Sequence, residues 1–248
     1  MRLDKYLASY TRMSRKEARA AVRKGRAALD GERVFREDAR VSEGMTVFLD
    51  GAVVHAEEYV YYMLNKPPGV VSATSDRTER TVLELVDTGG RRVFPVGRLD
   101  KDTTGLLILT DNGELAHRLL SPKYHVDKVY EFNYEGELVP DAARLAAEGL
   151  DIGEKHRTEP ALLELPESRP HFARLTISEG KYHQVKRMVA KLGGHVTELR
   201  RVAFGGIVLD EILQPGEYRP LTEAEIDCLQ HTGNSDCLDG GKKKKKKY

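Results

Sequence analysis

The chain has 248 residues, of which 40% are hydrophobic and 32% are charged, and its formal net charge is +1. This length allows one large domain and one small domain, each with its own hydrophobic core. No window approaches the roughly 18 apolar residues of a membrane span, and the N-terminus alternates charged with apolar residues, unlike a secretory signal. We therefore expect a cytoplasmic protein with no membrane association.

Signatures of metal and cofactor sites are absent from the sequence. Its two cysteines, Cys228 and Cys237, lie nine positions apart without a histidine at a zinc-finger interval, and the eight histidines form no HxxxH or HExxH pair. The glycine-rich fingerprints of dinucleotide and nucleoside triphosphate binding are also missing. We expect chemistry that needs neither a metal nor an organic cofactor.

The nearly neutral total charge hides two basic regions. Residues 1–40 contain twelve Lys or Arg against six acidic residues, and residues 181–201 contain six against one. Such regions favour a polyanionic partner, because Lys and Arg that face phosphates release condensed counterions. The alternative is that they are ordinary solvated helix faces.

Residues 1–58 are predicted to form a small N-terminal α/β module with an acidic connector at Glu57-Glu58. Leu3 and Leu7 fall at helical spacing, Ser14 with Glu17 gives the capping-box signature of a second helix, and short strands are predicted at 27–29, 33–35 and 45–49. The pattern Arg2 to Ala8, then Ser14 to Ala18, then Asp30-Gly31 resembles the S4 RNA-binding module, although Arg12-Met13 stands where many members have a glycine. The resemblance implies that an RNA backbone lies along the face that carries Arg15, Lys16, Arg19 and Arg23.

Residues 59–230 are predicted to form an α+β catalytic domain with a mixed, mostly antiparallel sheet and flanking helices, because strands outnumber helices and do not alternate regularly with them. Strands are predicted at 59–64, 70–72, 106–109, 128–134, 161–165, 172–177, 196–202 and 206–209, and helices at 81–86, 112–120, 141–148, 182–192 and 221–229. Residues 231–248 carry six lysines and are predicted to be a disordered tail, with an expression remnant as the alternative.

The stretch from Phe94 to Gly113 contains the best candidate for a reactive group. Asp100 lies between Arg98 and Lys101 in a polar loop, and glycines at 97 and 105 relax the backbone on either side. Asp102 would share a face with Asp100 in an extended segment, so a metal site or a two-carboxylate hydrolase is an alternative. Lys66, in the rigid turn Asn65-Lys-Pro-Pro-Gly69, is predicted to face a phosphate; a simple loop is the alternative.

Four motifs in order resemble the RsuA group of pseudouridine synthases, and the likeness runs from about Tyr59 to Leu229. They are Lys66-Pro-Pro-Gly69, Gly97-Arg-Leu-Asp100 with Thr104 to Thr110, Lys128-Val-Tyr130, and Glu179 to Met188. The resemblance implies isomerisation of a uridine in RNA without a cofactor. In that reaction the N1 glycosidic bond breaks, the base turns, and C5 bonds to C1′.

The resemblance also implies residue roles. Asp100 is the reacting carboxylate, Lys186 pairs with it and keeps it charged, Tyr130 packs against the target base and assists removal of the C5 proton, and Arg98 helps to hold the flipped-out nucleotide. Asp102 then becomes a loop residue. Whether Asp100 adds covalently or removes the C2′ proton to give a glycal stays open. The residues expected to contact RNA are Arg15, Lys16, Arg19, Arg23, Lys66, Lys181, Arg187 and Arg201.

The residues of the later motifs resemble those of family members that modify small-subunit 16S ribosomal RNA more than those of the large-subunit enzymes. The expected partner is therefore 16S ribosomal RNA, free or within a partly assembled subunit. A large-subunit 23S enzyme is the first alternative. The second is a non-catalytic assembly factor that uses the S4 module and an inactive synthase domain to grip ribosomal RNA; an intact set of Arg98, Asp100, Tyr130 and Lys186 argues against it. A monomer is the default expectation.

Overall fold

The structure is a computed structural model that describes residues 1–11, 13–42, 44–54 and 59–232. The chain divides into two compact units, of which the first comprises residues 1–60 with 88–92 and the second comprises the rest. The first unit thus includes Thr88–Arg92, which the sequence analysis had placed in the catalytic domain. The acidic connector, Cys237 and residues 233–248 of the predicted Lys-rich tail lie outside the described residues, whereas His231, which was predicted to belong to the tail, is the last residue of a helix. The predicted domain division stays a prediction.

The first unit contains two helices and a small antiparallel sheet. The helices are α1 (Leu3–Tyr10) and α2 (Arg15–Arg23), and the sheet has the strand order β2-β1-β3-β4, with β1 at Ala27–Leu29, β2 at Glu32–Val34, β3 at Val47–Leu49 and β4 at Ala52–Val54. The capping box predicted for α2 is confirmed, since Ser14 accepts from the Glu17 backbone and Glu17 accepts from the Ser14 backbone. Leu3, Leu7 and Val22 are fully buried in the core between these elements.

The second unit is built on a nine-stranded sheet. Its strands are β5 (Tyr61–Lys66), β6 (Phe94–Pro95), β7 (Thr104–Thr110), β8 (Lys128–Gly136), β9 (Leu162–Glu164), β10 (Phe172–Ile177), β11 (Gly194–Phe204), β12 (Ile207–Val208) and β13 (Tyr218–Pro220). Its helices are α3 (Gly113–Leu120), α4 (Ala142–Ala147), α5 (Gln184–Lys191) and α6 (Glu223–His231), with short 3₁₀ turns at Val82–Leu85 and Pro122–Tyr124.

The sheet is mixed and mostly antiparallel. Its main path runs β13-β5-β7-β11-β8-β10-β9, while β12 pairs with β11 and β6 pairs with β7. β7 and β11 are parallel at Arg200 to Thr104 and Arg201 to Gly105, and the other pairs are antiparallel. The α+β prediction is confirmed. No helix in the described ranges has the length and apolar character that crossing a membrane requires.

One predicted strand is absent, and three observed strands were not predicted. The expected strand at 70–72 is only an isolated bridge between Val71 and Thr81. β4, β6 and β13 were missed, because each has only two or three residues and too few side chains for an alternating pattern. β13 is nevertheless part of the main sheet, where it pairs with β5 from Tyr218 at Leu64 to Pro220 at Tyr62.

Candidate active site

A cavity of about 570 Å³ opens in the second unit beside the loop that joins β6 to β7. This volume lies in the range of about 300–1,000 Å³ that is common for small-ligand sites. Its walls include Arg98, Asp100, Lys128, Tyr130, Arg201 and Phe204. The cavity therefore brings together residues that are up to about a hundred positions apart in the chain.

The loop that carries Asp100 is fixed by hydrogen bonds on both sides of this residue. The Leu99 N–H donates to Ser72 Oγ at 3.0 Å, and the Ser72 hydroxyl donates to the Leu99 carbonyl at 3.0 Å. After Asp100, the Thr103 N–H donates to the Asp100 carbonyl at 3.1 Å. The carboxylate is therefore presented from a loop whose backbone is held in place on each side.

Lys66 contributes to the same loop, and the prediction that it faces a phosphate is wrong. Its side chain is 0% exposed, and its ammonium group donates to the carbonyls of Thr103 at 2.8 Å, Pro67 at 3.1 Å and Lys101 at 3.2 Å. Burial lowers the pKa of Lys66 to about 8, against the opposing charges of Asp102 and Asp100. Lys66 is the last residue of β5, and its side chain points inward. Three carbonyls accept from the ammonium donors that a phosphate would need.

Two side chains near the start of α5 face the Asp100 carboxylate. Lys186 Nζ lies 3.4 Å from Asp100 Oδ2, and His183 Nε2 lies 3.6 Å from Asp100 Oδ1. His183 has a left-handed backbone, with φ of 48°, and its ring stacks on Tyr182 with centroids 3.9 Å apart. The predicted pairing of Lys186 with Asp100 is thus present, and His183 is a second neighbour of the carboxylate.

Lys186 is shared between two carboxylates, which corrects the view of Asp102 as a mere loop residue. Its ammonium group donates to the two carboxylate oxygens of Asp102 at 2.7 and 2.8 Å, which is closer than its approach to Asp100. Burial acts to lower the pKa of Lys186, but the hydrogen bond to Asp102 and the charges of both carboxylates outweigh it and raise this pKa. The same hydrogen bond lowers the pKa of Asp102. Lys186 is therefore a stable positive charge beside Asp100.

Tyr130 and Arg98 line the cavity together with Asp100. Tyr130 lies on β8 with 8% of its surface exposed, and it contributes to the wall of the cavity, where a flat base can pack against it. Arg98 is exposed and precedes the buried Leu99 in the loop. The structure thus brings the four residues expected to take part in the chemistry, Arg98, Asp100, Tyr130 and Lys186, to one site.

Two of the expected RNA contacts have other roles. Arg201 is only 2% exposed and donates from Nε to the Leu106 carbonyl at 2.8 Å, so it cannot reach an RNA backbone on the surface. Arg187 donates to Glu154 at 2.7 Å and to the carbonyls of Tyr182 and Ile152. Arg201 thus links β11 to β7, and Arg187 links α5 to the segment that contains Ile152 and Glu154.

Lys181 lines the cavity and stays a predicted RNA contact. It donates to the Arg157 carbonyl at 2.7 Å and pairs with Glu179 at 3.0 Å, with 22% of its side chain exposed. Its ammonium group is therefore held in position by protein partners.

The basic face of the first unit is organised around the buried Asp4. Arg2 and Arg19 each approach this carboxylate at 3.0 Å and Arg15 approaches at 3.4 Å, while the three guanidinium side chains are 42 to 53% exposed. Burial acts to raise the pKa of Asp4, but the hydrogen bonds from Arg2 and Arg19 outweigh it and lower this pKa. Asp4 thus holds a group of arginines on the surface. Arg23 is 65% exposed and pairs with Glu37, and Lys16 is exposed.

Sequence reasoning missed His183 and Lys128 as residues of the site. Both are within motifs that had been singled out, His183 before Gln184 and Lys128 two positions before Tyr130. The alternation along β8 was a usable signal for Lys128, because residues two apart on a strand share a face. No comparable pattern predicts the left-handed backbone that turns the His183 ring toward Asp100.

The fold and the site together define an enzyme that holds the Asp100 carboxylate, flanked by basic side chains, at a cavity large enough for a nucleotide. Comparison with known proteins identifies the family. Residues 60–191 match the family model described as RNA pseudouridylate synthase. The chain belongs to this family, and it is an isomerase that converts uridine in RNA to pseudouridine.

Individual relatives are similar over nearly the whole chain. The ribosomal small subunit pseudouridine synthase A of Escherichia coli (strain K12) is 45% identical over 231 residues, which cover 91% of this chain and 98% of that protein. An uncharacterised RNA pseudouridine synthase of Bacillus subtilis (strain 168) is 43% identical over 236 residues, which cover 92% and 98%. A crystal structure of a pseudouridylate synthase superposes with a TM-score of 0.67 at 40% identity, covering 92% of this chain and 99% of that one.

Proposed function

We propose that the chain isomerises a uridine of small-subunit (16S) ribosomal RNA, with Asp100 as the carboxylate that reacts. The observation that carries the role of Asp100 is its position at the wall of the cavity, with Lys186 at 3.4 Å and His183 at 3.6 Å from its oxygens. The choice of RNA is supported by the similarity to the small-subunit enzyme of Escherichia coli over 91% of the chain.

The reaction requires a charged carboxylate beside the sugar. The N1–C1′ bond breaks with its electron pair going to the uracil, the base turns, C5 bonds to C1′, the C5 proton leaves and N1 gains a proton. An ionised Asp100 either bonds to the sugar or base, or removes the C2′ proton, and it has to remain charged in both routes. Lys186 places a positive charge 3.4 Å from Oδ2 of this carboxylate.

The other expected residues act on the nucleotide. Tyr130 offers a ring for the flipped base to pack against, and Arg98 lies at the exposed edge of the cavity, where it holds the sugar–phosphate of that nucleotide. Extruding a nucleotide costs a few kcal/mol. The surface face of Arg15, Lys16, Arg19 and Arg23, together with Lys181, offsets this cost through phosphate contacts, and residues 1–58 act as an S4 RNA-binding module.

Two variants at neighbouring positions test the role of Asp100. Both Asp100 and Asp102 are partners of Lys186, so Asp100→Asn and Asp102→Asn each remove one negative charge beside the same ammonium group. The measurement is tritium release from small-subunit RNA fragments that contain 5-tritiated uridine. We expect Asp100→Asn to bind the RNA and release no label, while Asp102→Asn keeps activity within about tenfold of the unmodified protein, since only Asp100 reacts.

The RNA fragments also test the substrate. Large-subunit fragments are the matched comparison, and label should be released from the small-subunit RNA only. Equal release by Asp100→Asn and the unmodified protein would refute the assignment of Asp100. Release of label from large-subunit RNA alone would refute the proposed substrate, but it would leave the assignment of Asp100 as the reacting carboxylate unchanged.

A further inference from the structure

Two buried cations form part of the cavity wall next to Tyr130. Lys128 is 8% exposed and Arg201 is 2% exposed, and both line the cavity with Tyr130 and Phe204. They lie on the adjacent antiparallel strands β8 and β11, in which Arg201 is opposite Tyr130 and Phe204 is opposite Lys128. We call Lys128 and Arg201 the basic floor of the cavity.

A β-bulge makes this arrangement possible. The register of β11 against β8 shifts between Arg201 and Ala203, which inserts one extra residue into β11. Residues three apart on a regular strand face opposite sides of the sheet, whereas the inserted residue lets Arg201 and Phe204 face the same cavity. Lys128 and Tyr130, two residues apart on β8, share that face without a bulge.

The basic floor carries positive charge that the neighbouring protein groups balance only in part. Lys128 donates to the Val126 carbonyl at 2.5 Å and Arg201 donates to the Leu106 carbonyl at 2.8 Å. The two cations lie 5.6 and 5.1 Å from the centroid of the Phe204 ring, which offsets some of the cost of burial. Within the described residues, Nη2 of Arg201 is buried without a hydrogen-bond partner.

The charges around Lys128 act in opposite directions. Burial and the positive charge of Arg201 lower the pKa of Lys128 to about 8, while Asp127 and Glu179 act to raise it. Two like charges on buried side chains repel each other, and a group with delocalised negative charge would relieve that repulsion. The complementary ligand therefore carries negative charge on oxygen atoms.

The position of the basic floor favours a base over a phosphate. The RNA backbone is a hydrated polyanion that meets exposed side chains at the surface, and Lys128 and Arg201 are too buried for that. A flipped base enters the cavity, and Tyr130 lies in the same part of its wall. Uracil becomes anionic when the N1–C1′ bond breaks, because it keeps the electron pair and spreads the charge over O2 and O4.

We infer that Lys128 and Arg201 hold the uracil while it is detached from the sugar, and that they stabilise the negative charge on its carbonyl oxygens at that stage. This inference rests on the proposed reaction. Both side chains donate hydrogen bonds and transfer no proton, and the electron pair returns when C5 bonds to C1′. The basic floor thus acts as an oxyanion-stabilising site, preorganised before the substrate enters.

The direct test is Lys128→Met, which keeps the length of the side chain and removes its charge. We expect the single-turnover rate on small-subunit RNA to fall about 100-fold, as for loss of one oxyanion donor, with RNA affinity unchanged. Lys123→Met, at an exposed lysine near the same strand, is the control and should leave both quantities unchanged. Lys128→Arg keeps the charge and should recover most of the rate.

A better leaving group should reduce the loss of rate that Lys128→Met causes. Fluorine at C5 stabilises the uracil anion, so RNA with 5-fluorouridine at the target position depends less on the basic floor. Consumption of the target nucleoside, followed by mass spectrometry of digested RNA, should fall less in Lys128→Met for 5-fluorouridine than for uridine. An equal loss on both substrates would overturn the inference.

The dependence on pH gives a test that needs no neutral variant. Anion stabilisation requires charged Lys128, so the rate should fall as the pH rises through the pKa of Lys128, and this decline should disappear in Lys128→Arg. A rate that rises through that pH would make Lys128 a proton acceptor and would contradict the inference.

A loss in Lys128→Met that is confined to RNA affinity, with a smaller salt dependence of binding, would assign Lys128 to a phosphate contact and would also contradict the inference. Failure of the unmodified protein to convert uridine would instead refute the proposed function.

Discussion

Lys66 shows how a single buried charge positions a reactive group that it does not touch. Its ammonium group binds the carbonyls of Pro67, Lys101 and Thr103, and the last two flank the segment that follows Asp100. These bonds close the loop against the end of β5, with the Gly69 N–H donating to the Lys101 carbonyl at 2.8 Å as a further tie. The position of Asp100 therefore depends on Lys66 as well as on Ser72.

We predict that Lys66→Met lowers both the stability and the rate. The substitution keeps most of the apolar chain but removes the Lys66 donor from the carbonyls of Pro67 and Thr103, while the Lys101 carbonyl keeps the Gly69 N–H. A buried polar group without a partner costs about 1–3 kcal/mol. We expect a lower free energy of unfolding in urea, and a kcat reduced more than the RNA affinity is. Lys155→Met, at an exposed lysine, serves as the control. A variant with normal kcat would show that the loop keeps its shape without Lys66.

At this scale the sequence predicted Asp100, Arg98, Tyr130 and Lys186 through motif resemblance, and the structure brings them together. It did not predict that Lys66 and Arg201 point inward, because a lone lysine or arginine in a motif looks the same whether it binds phosphate or carbonyl groups. The sharing of Lys186 by Asp100 and Asp102 was missed for a similar reason. The distances from Lys186 Nζ to the two carboxylates depend on how α5 packs beside the loop of Asp100, and the local sequence does not encode this packing.

At the scale of elements, the parallel contact of β7 with β11 joins the loop of Asp100 to the strand of the basic floor. Gly105 permits this contact, since a Cβ there would collide with the Arg201 carbonyl oxygen and lie 2.9 Å from Arg200 Cγ. Its φ of 96° is also a conformation that other residues rarely adopt.

We therefore predict that Gly105→Ala destabilises the protein more than Gly216→Ala does. Gly216 has nearly the same φ, 94°, but no atom lies within 4 Å of its Cβ position among the described residues. Gly216→Ala should cost only the backbone strain, about 1–2 kcal/mol, whereas Gly105→Ala adds a collision with the backbone of β11. Thermal unfolding midpoints measure the difference. Equal midpoints would show that β7 and β11 can move apart at little cost.

Local signals predicted helices better than strands. Capping boxes identified the starts of α2 and α6, which begin after Ser14 and Thr222 as expected. A helix start is specified by residues three positions apart, whereas the pairing of β13 with β5 joins residues about 150 positions apart. The bulge that turns Arg201 and Phe204 toward one cavity is set by such long-range pairing, and no local pattern revealed it.

At the scale of the whole molecule, RNA binding is expected to use many exposed cations with small individual contributions. We predict that Lys16→Gln weakens RNA binding uniformly and lowers the slope of log affinity against log salt by about 0.7–0.9, as for loss of one phosphate contact. Arg36→Gln is the matched control, because it removes one charge from the same unit at a side chain paired with Asp38. Titrations at several salt concentrations measure both slopes. Identical slopes for the two variants would mean that the face of α2 does not contact RNA.

The proposed modification of small-subunit ribosomal RNA by means of Asp100 can be tested directly in cells. Pseudouridines are mapped in the ribosomal RNA of a strain that lacks the protein, after complementation with the unmodified protein, Asp100→Asn or Asp102→Asn. We expect one small-subunit pseudouridine to be absent from the deletion strain and to return with the unmodified protein and with Asp102→Asn, but not with Asp100→Asn. Its return with Asp100→Asn would contradict the role of Asp100, and an unchanged small-subunit map in the deletion strain would contradict the proposed substrate.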